Sequence, residues 1–396
     1  MTETVEFQLS EQHRMVQGMV REFASREILP RAAALDRTGE YPADIIRSAS
    51  ALGLMGMMVP EAYGGAGQDA VAYVIAQEEL ARASAGVQTI VTVNNSLACD
   101  PILHWGSEAL RRRYLPALAG GRSLGCSCLT EPSAGSDAMA LAATARLDGD
   151  SWVLHGTKIF VTNGVEADVC IVYARSGPEP GARGISAFVV EKAFPGIRVG
   201  KVEHKLGIIC SSTAEIILDG CRVPRDNVLG EPGQGGRIAL ATLDGGRLGI
   251  AAQAAGIARA ALEDALRYAK ERRQFGHAIG EFEAIQWFLA DMAVRLEAAR
   301  LLVYRAAYLR DQGRPYTKEV AMAKLFASET AMWASHKAVQ IHGGYGYVKE
   351  YNVERYFRDA KITEIYEGTS EIQRLVISRQ VFGRHTREDP WTSSSV

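Results

Sequence analysis

The sequence is poor in the features that mark several whole classes of protein. It has no uninterrupted apolar run long enough to cross a bilayer, so membrane insertion is not expected. A formal net charge of −2 gives no reason to expect nucleic acid or an anionic membrane as the main partner. Six cysteines in 396 residues are too sparse for a disulfide scaffold. The closest pair, Cys126 and Cys128, has no second pair and no histidine nearby, and fits small side chains buried in a strand. The eight histidines include no HExxH and no i, i+4 pair, so metal catalysis is not expected. The GxGxxG and P-loop spacings are also missing. Any nucleotide cofactor must therefore be held by other means. The opening MTETVEFQLSEQHR is acidic and mixed, unlike a secretory or mitochondrial leader. The expectation is a cytoplasmic chain, or a mature one already stripped of any leader.

What is present is ordinary globular material, 47% hydrophobic and 23% charged, in a chain long enough for two or three domains and a large core. Periodicity divides it. Residues 1–120 look helical, with apolar positions at steps of three and four in MVQGMVREFASREILP and DIIRSASALGLMGMMVP. Residues 121–230 change to short β-branched runs cut by Gly, Asn, Asp and Pro, among them SWVLHGTKIFVTNG, ADVCIVYAR, GISAFVVEK and STAEIILDGCRVP. Several strands without intervening helical periods predict a small antiparallel sheet or barrel. In residues 231–383 long helical periods return: Ile285, Phe288, Met292, Leu296, Ala299 and Val303 keep to one face. Gly249, Ala252, Gly256 and Ala260 form a ridge of small residues that lets another helix approach closely. The expected architecture is α+β and multidomain: an N-terminal helical domain, a central antiparallel β domain and a C-terminal four-helix bundle. A polar tail, 384–396, follows.

Several stretches combine polar and glycine residues in unusual ways, and each alone has an ordinary explanation. LTEPSAGSD (129–137) holds normal turn residues. KIFVTNG (158–164) puts Phe160 and Thr162 on one side of a strand. KERRQFG (270–276) closes a helix with basic residues and a terminal glycine. QIHGGYGY (340–347) suits a C-cap or close approach of backbone to a ligand.

Together they are far more specific. LTEPSAGSD, KIFVTNG, LDGGR (243–247), ERRQFG, QIHGGYGY and IYEGTSEIQR (365–374) stand in the order and spacing of the acyl-CoA dehydrogenase family, which the chain resembles over essentially its whole length. VTVNNSL (91–97) further resembles the short-chain, butyryl-CoA-type branch. The resemblance implies a homotetrameric flavoprotein, a dimer of dimers, that oxidises a short-chain acyl-CoA to its trans-2-enoyl form. An electron-transfer flavoprotein accepts the electrons.

That chemistry gives Glu367 a task. Removing a proton next to a thioester carbonyl needs a base on one face of the substrate, and a hydride must leave the adjacent carbon toward a flavin on the other. By resemblance Glu367 is the base, in a dehydrated pocket that raises its pKa. Its backbone N–H would bind the thioester oxygen. Gly368 would allow close approach of substrate, and Thr369 and Ser370 would cap the helix that follows. For FAD, the resemblance implies Cys128, Leu129, Thr130, Ser136, Phe160, Val161 and Thr162 around the flavin. Arg272, Gln274, Phe275, Gln340, Ile341, Gly343 and Gly344 would contact a cofactor bound mainly by a partner subunit, and Thr369 and Glu371 its adenosine side. Ser136, Asp244 and Arg247 would contact the acyl-CoA.

The chain departs from the family pattern in places. Phe160 stands where tryptophan is frequent, Glu283 where glutamine often touches FAD, and Ile209–Cys210 replaces a commoner Arg–small pair. Gly246 occupies the position from which some relatives supply the base, and Gln88 that of an arginine in glutaryl-CoA-specific relatives. Three alternatives stay open. They are a pathway-specific dehydrogenase acting on an unusual acyl-CoA or an acyl-carrier-protein thioester, an acyl-CoA oxidase, and a non-catalytic helical scaffold.

Overall fold

The computed structural model describes residues 9–383, so the opening residues 1–8 and the tail 384–396 lie outside the described residues. The first third is helical: α1 (Glu11–Phe23), α2 (Ala32–Thr38), α3 (Ala43–Ala51), α4 (Ala70–Ala83), α5 (Ala85–Val93), α6 (Asp100–Trp105) and α7 (Glu108–Ala119). Side-chain oxygens start several of these by accepting orphan N–H groups, Ser10 for α1, Asp69 for α4 and Ser84 for α5. Gly39, left-handed at φ 70°, ends α2. Helix α4 is buried on all sides except at Arg82, which explains why its apolar residues show no clean stripe.

The middle is one sheet of β1 (Gly125–Cys128), β2 (Thr144–Asp148), β3 (Ser151–Thr162), β4 (Val169–Arg175), β5 (Ile185–Glu191), β6 (Ile197–Val202), β7 (Thr213–Pro224) and β8 (Val228–Leu229). The strand order is β6-β7-β3-β2-β4-β5-β8, with β1 on β4. Pairing is antiparallel except for β1 on β4 and a single parallel bridge between β2 and β4. The β1–β4 register sets Cys126 opposite Cys170, so a third thiol joins the CxC pair with all three sulfurs within 4.8 Å. Sequence spacing could not show that neighbour.

The last third is an up-and-down set of helices: α8 (Gly235–Glu271), α9 (Glu283–Asp311), α10 (Thr317–His342), α11 (Val353–Thr363) and α12 (Ser370–Phe382). Helices α8 and α10 run side by side in the same direction. Thr317 Oγ1 meets Asp244 at 2.6 Å near one end, and the Tyr268 and His342 rings stack at 4.1 Å near the other. On α9, Met292, Leu296, Ala299 and Val303 are buried, as the period predicts. Between α8 and α9 the chain makes a hairpin, β9 (Arg273–Gln274) with β10 (His277–Ala278). Gly276 therefore sits in a hairpin turn rather than capping α8, which ends on Arg272 in extended conformation.

Three apolar cores hold this together. One joins α1–α5 to α8–α11, one glues the sheet to α6, α7 and the start of α8, and one lies within the sheet. The small-residue ridge on α8 faces the N-terminal helices: a Cβ on Gly249 would strike Thr92 Oγ1 at 2.2 Å, and one on Gly256 the Glu78 carbonyl oxygen at 2.5 Å. Buried charges tie the same helices. Glu78 and Glu79 accept from Arg259 of α8, with Arg300 of α9 on Glu78 and Arg21 of α1 on Glu79.

Candidate functional site

Glu367 lies in the short connection that brings the chain back from α11 into α12. Its backbone is left-handed, φ 54°, and Gly368 follows at φ 95°. A non-glycine residue in that region costs free energy unless its surroundings hold it there. Here four bonds do. Arg247 Nε and Gln373 Nε2 donate to the Glu367 carbonyl, both at 3.3 Å. Gln373 Nε2 and Lys324 Nζ donate to the Gly368 carbonyl at 2.9 and 2.7 Å. Thr369 then caps α12 by accepting from the Ile372 N–H at 3.3 Å, while Ser370 is the first helical residue rather than a second cap.

The Glu367 side chain points at α8. A Cβ built on Gly246 would lie 1.8 Å from Oε2, so only glycine leaves room for this carboxyl. Oε2 is sealed from solvent and has no hydrogen-bond partner among the described residues. Burial pushes Glu367 up to about 7, against the opposing charges of Arg247 and Lys324. Lys324 shows the converse. It is fully buried, and burial pulls its ammonium down to about 7 despite the Glu367 charge nearby. The arrangement is an unsatisfied, proton-ready carboxyl on a rigid loop, packed against helix backbone that carries no side chain at Gly246.

The other sequence-predicted residues fall into separate groups. Asp244 and Arg247 pair with each other at 2.6 Å on α8, and Thr317 donates to Asp244. Ser136 stands exposed on the loop after β1 and is not hydrogen-bonded to that pair. In the same loop Glu131 accepts from the Ala142 and Ala143 N–H groups and from buried Lys158 at 2.7 Å, so LTEPSAGSD is anchored far beyond an ordinary turn. Cys128 and Val161 turn their side chains into the sheet core, leaving backbone for any ligand, while Leu129, Thr130 and Thr162 are half-buried. Phe160 differs from the even alternation expected of it. A bulge between Lys158 and Val161 gives it φ 55° and turns its ring outward, 62% exposed.

The remaining group lies at the far end of α8. From Gly246 to Arg272 is 26 residues, or about 39 Å along a helix axis. There Arg272 stands over the Tyr345 ring at 5.5 Å, joining the β9–β10 hairpin to the glycine loop 343–347. Gly343 and Gly344 have nothing within 4 Å of a built Cβ, Gln274 and Gln340 are exposed, and Ile341 is buried. Phe275 is 90% exposed at φ 52°. Glu371 is exposed on α12, as is Glu283 at the start of α9.

Family models match nearly all of the described chain: "Acyl-CoA dehydrogenase, N-terminal domain" over residues 10–122, the middle domain over 126–221 and the C-terminal domain over 233–382. The chain belongs to the acyl-CoA dehydrogenase family. That membership makes it an FAD-dependent oxidoreductase with the helical, β and helical order described above. It is 52% identical over 371 residues to the mouse short-chain specific acyl-CoA dehydrogenase, covering 94% of this chain and 90% of the relative. Butyryl-CoA dehydrogenase from Megasphaera elsdenii superposes with a TM-score of 0.94 at 43% identity, covering 96% of this chain and all of the other. A chain in the structure of the electron transferring flavoprotein of Acidaminococcus fermentans reaches the same TM-score at 47% identity, covering 95% and 99%.

Two polar residues of this acyl-CoA dehydrogenase site escaped the sequence reading. Lys324 falls on the buried stripe of α10 with Val320, Ala327 and Ala331, and a lysine on an apolar stripe was the available signal. Gln373 had none, since a glutamine one turn into a helix is unremarkable.

Proposed function

We propose that this enzyme dehydrogenates a short-chain acyl-CoA at its α and β carbons, with Glu367 as the base. The observation that carries the reading is the Glu367 carboxyl itself, its Oε2 partnerless among the described residues and the group pushed up to about 7, in the room that Gly246 leaves. Ionised, it takes the α proton, and its backbone N–H donates to the thioester oxygen as charge develops there. Arg247 and Lys324 favour the ionised form, and the four bonds to the 367–368 carbonyls hold the base still. When bound, FAD supplies the acceptor for the hydride.

The residues present fit that cofactor. An outward aromatic at Phe160 and half-buried Leu129, Thr130 and Thr162 offer a flat ring both contact and polar partners. Arg272 beside open glycine backbone suits a pyrophosphate. Because the second set is about 39 Å along α8 from Gly246, beside the base, we assign it to the cofactor of a neighbouring subunit. Outward Phe275 and Tyr347 support a homotetramer, a dimer of dimers. An electron-transfer flavoprotein as acceptor and a cytoplasmic location complete the reading.

Anaerobic titration of FAD-loaded protein with butyryl-CoA tests it. Bleaching of the flavin, reversed by an electron-transfer flavoprotein, is the expected result. No bleaching by any short straight or branched ester would overturn the assignment, and stoichiometric peroxide under air would make the enzyme an oxidase. Light scattering should give four times the 42.9 kDa chain mass.

A further inference from the structure

The sheet core holds a group of side chains that no step above uses. Cys126 and Cys128 stand two apart on β1, so both point to one face, and parallel pairing sets Cys170 of β4 opposite Cys126 on that face. The three thiols are completely buried in the apolar core within the sheet, with Leu154, Val172 and Phe188. Among the described residues they bond to nothing but one another. The Cys126 and Cys128 sulfurs lie 3.9 Å apart, and no two of the three are farther apart than 4.8 Å.

Thiols often do no more than fill a core. The size of this triangle singles these out. An ion centred among three sulfurs stands about 2.3 Å from each when the sides are 3.9 Å, and about 2.8 Å when they are 4.8 Å, against about 2.3 Å for a metal–thiolate bond. Closing on an ion therefore asks each sulfur to move by about half an ångström at most. No separate cavity is needed, because the ion takes the place of the thiol protons between the sulfurs.

The ligand set also selects the ion. Thiolates favour soft ions, copper(I) and zinc among them. Structural zinc takes four ligands, and the group offers three, with no imidazole or carboxylate in it. Copper(I) is complete with three sulfurs.

We propose that Cys126, Cys128 and Cys170 form a closed, non-catalytic site for one soft monovalent metal ion of the copper(I) class. Loading moves no electrons: the ion enters as copper(I), and one thiol proton leaves for solvent with each metal–thiolate bond that forms. The Lys158 ammonium acts on Cys128 and that of Lys192 on Cys170, offsetting the negative charge of the complex, with Asp168 opposed at Cys170. The site is independent of Glu367 and of the acyl-CoA reading.

The probe is copper(I) held by a colorimetric chelator under argon. It is given to the FAD-loaded protein and also to protein refolding from urea, since sealed sulfurs are reached only when the fold opens. After desalting, one copper per chain should remain in at least one of the two preparations, and X-ray absorption should show three sulfurs at about 2.3 Å. Cys170→Ser should abolish retention, and Cys99→Ser, whose thiol lies outside the trio, should keep it. No copper kept by either preparation would overturn the proposal, as would fewer than three sulfurs in the spectrum or equal retention by Cys170→Ser. If Cys170→Ser does not fold, the sulfur count of the wild-type protein decides. Flavin bleaching by butyryl-CoA reads the other question: its failure would sink the dehydrogenase assignment and leave the thiol site standing.

Discussion

Replacing Gly246 with alanine isolates the geometry of the base from its chemistry. The added Cβ would sit 1.8 Å from Glu367 Oε2 and 2.7 Å from Cδ, where ordinary contact begins at 3.4 Å. Moving Oε2 from 1.8 to 3.4 Å is a retreat of about 1.6 Å, and the clamped backbone at 367–368 cannot follow. A misplacement of about 1 Å costs roughly a hundredfold in rate. We therefore expect kcat/KM for butyryl-CoA to fall by about a hundredfold or more, close to 2.7 kcal/mol. Stability should not suffer, because alanine is better than glycine in a helix interior by up to about 1 kcal/mol. Gly245→Ala is the control: its Cβ would come no closer than 3.2 Å, to the end of the Arg310 side chain, with Asp100 Oδ2 at 3.8 Å, so activity should stay within a few-fold. Stopped-flow flavin reduction and a thermal melt measure both quantities. A Gly246→Ala enzyme within about threefold of wild type, properly folded and flavin-loaded, would refute the assignment of Glu367 to the reacting face.

The pH profile follows from the same carboxyl. With Glu367 raised from its ordinary 4.5 to about 7, the base is protonated and idle across that window. The free enzyme's kcat/KM should therefore climb about tenfold per pH unit and level off above about 7. Glu367→Gln should lose about 100- to 10,000-fold in kcat and that limb with it, and a persisting limb would point to another group. Lys324→Met removes a charge that favours ionised Glu367, so the limb should move to higher pH; an unmoved limb sinks the coupling. Glu131→Ala strands buried Lys158 and two N–H groups, and should cost about 3–5 kcal/mol. A melting temperature within a degree or two of wild type would contradict that.

Much of the architecture was legible because periodicity reports burial. The stripe on α9 and the small-residue ridge on α8 are packing surfaces written at helical spacing, and the structure uses both. Less visible were features in which backbone departs from a regular period. The bulge at Phe160 shifts the side-chain parity of β3, and QFG, which suits a helix end, turns a hairpin instead. Contacts between distant segments were invisible for another reason. Cys170 beside Cys126, and Lys324 beside Gly368, depend on strand register and helix packing. Glu367 emerged only through the joint pattern of motifs, because nothing in IYEGTSEIQR alone says that Gly246 leaves it space.

The seam between α8 and the N-terminal helices carries a consequence for how such enzymes diversify. Glu367 and its clamp come from the last third of the chain, whereas Gln77, Gln88, Thr89 and Thr92 come from the first. Grafting α4–α5 from a relative would replace the surface packed on α8 while the proton-removing apparatus travels unchanged. The graft must import a matching face for Gly249 and Gly256 and acids for Arg259 and Arg300, or the hybrid will not close. Recombination at this boundary is thus policed by fit before it is ever judged by turnover.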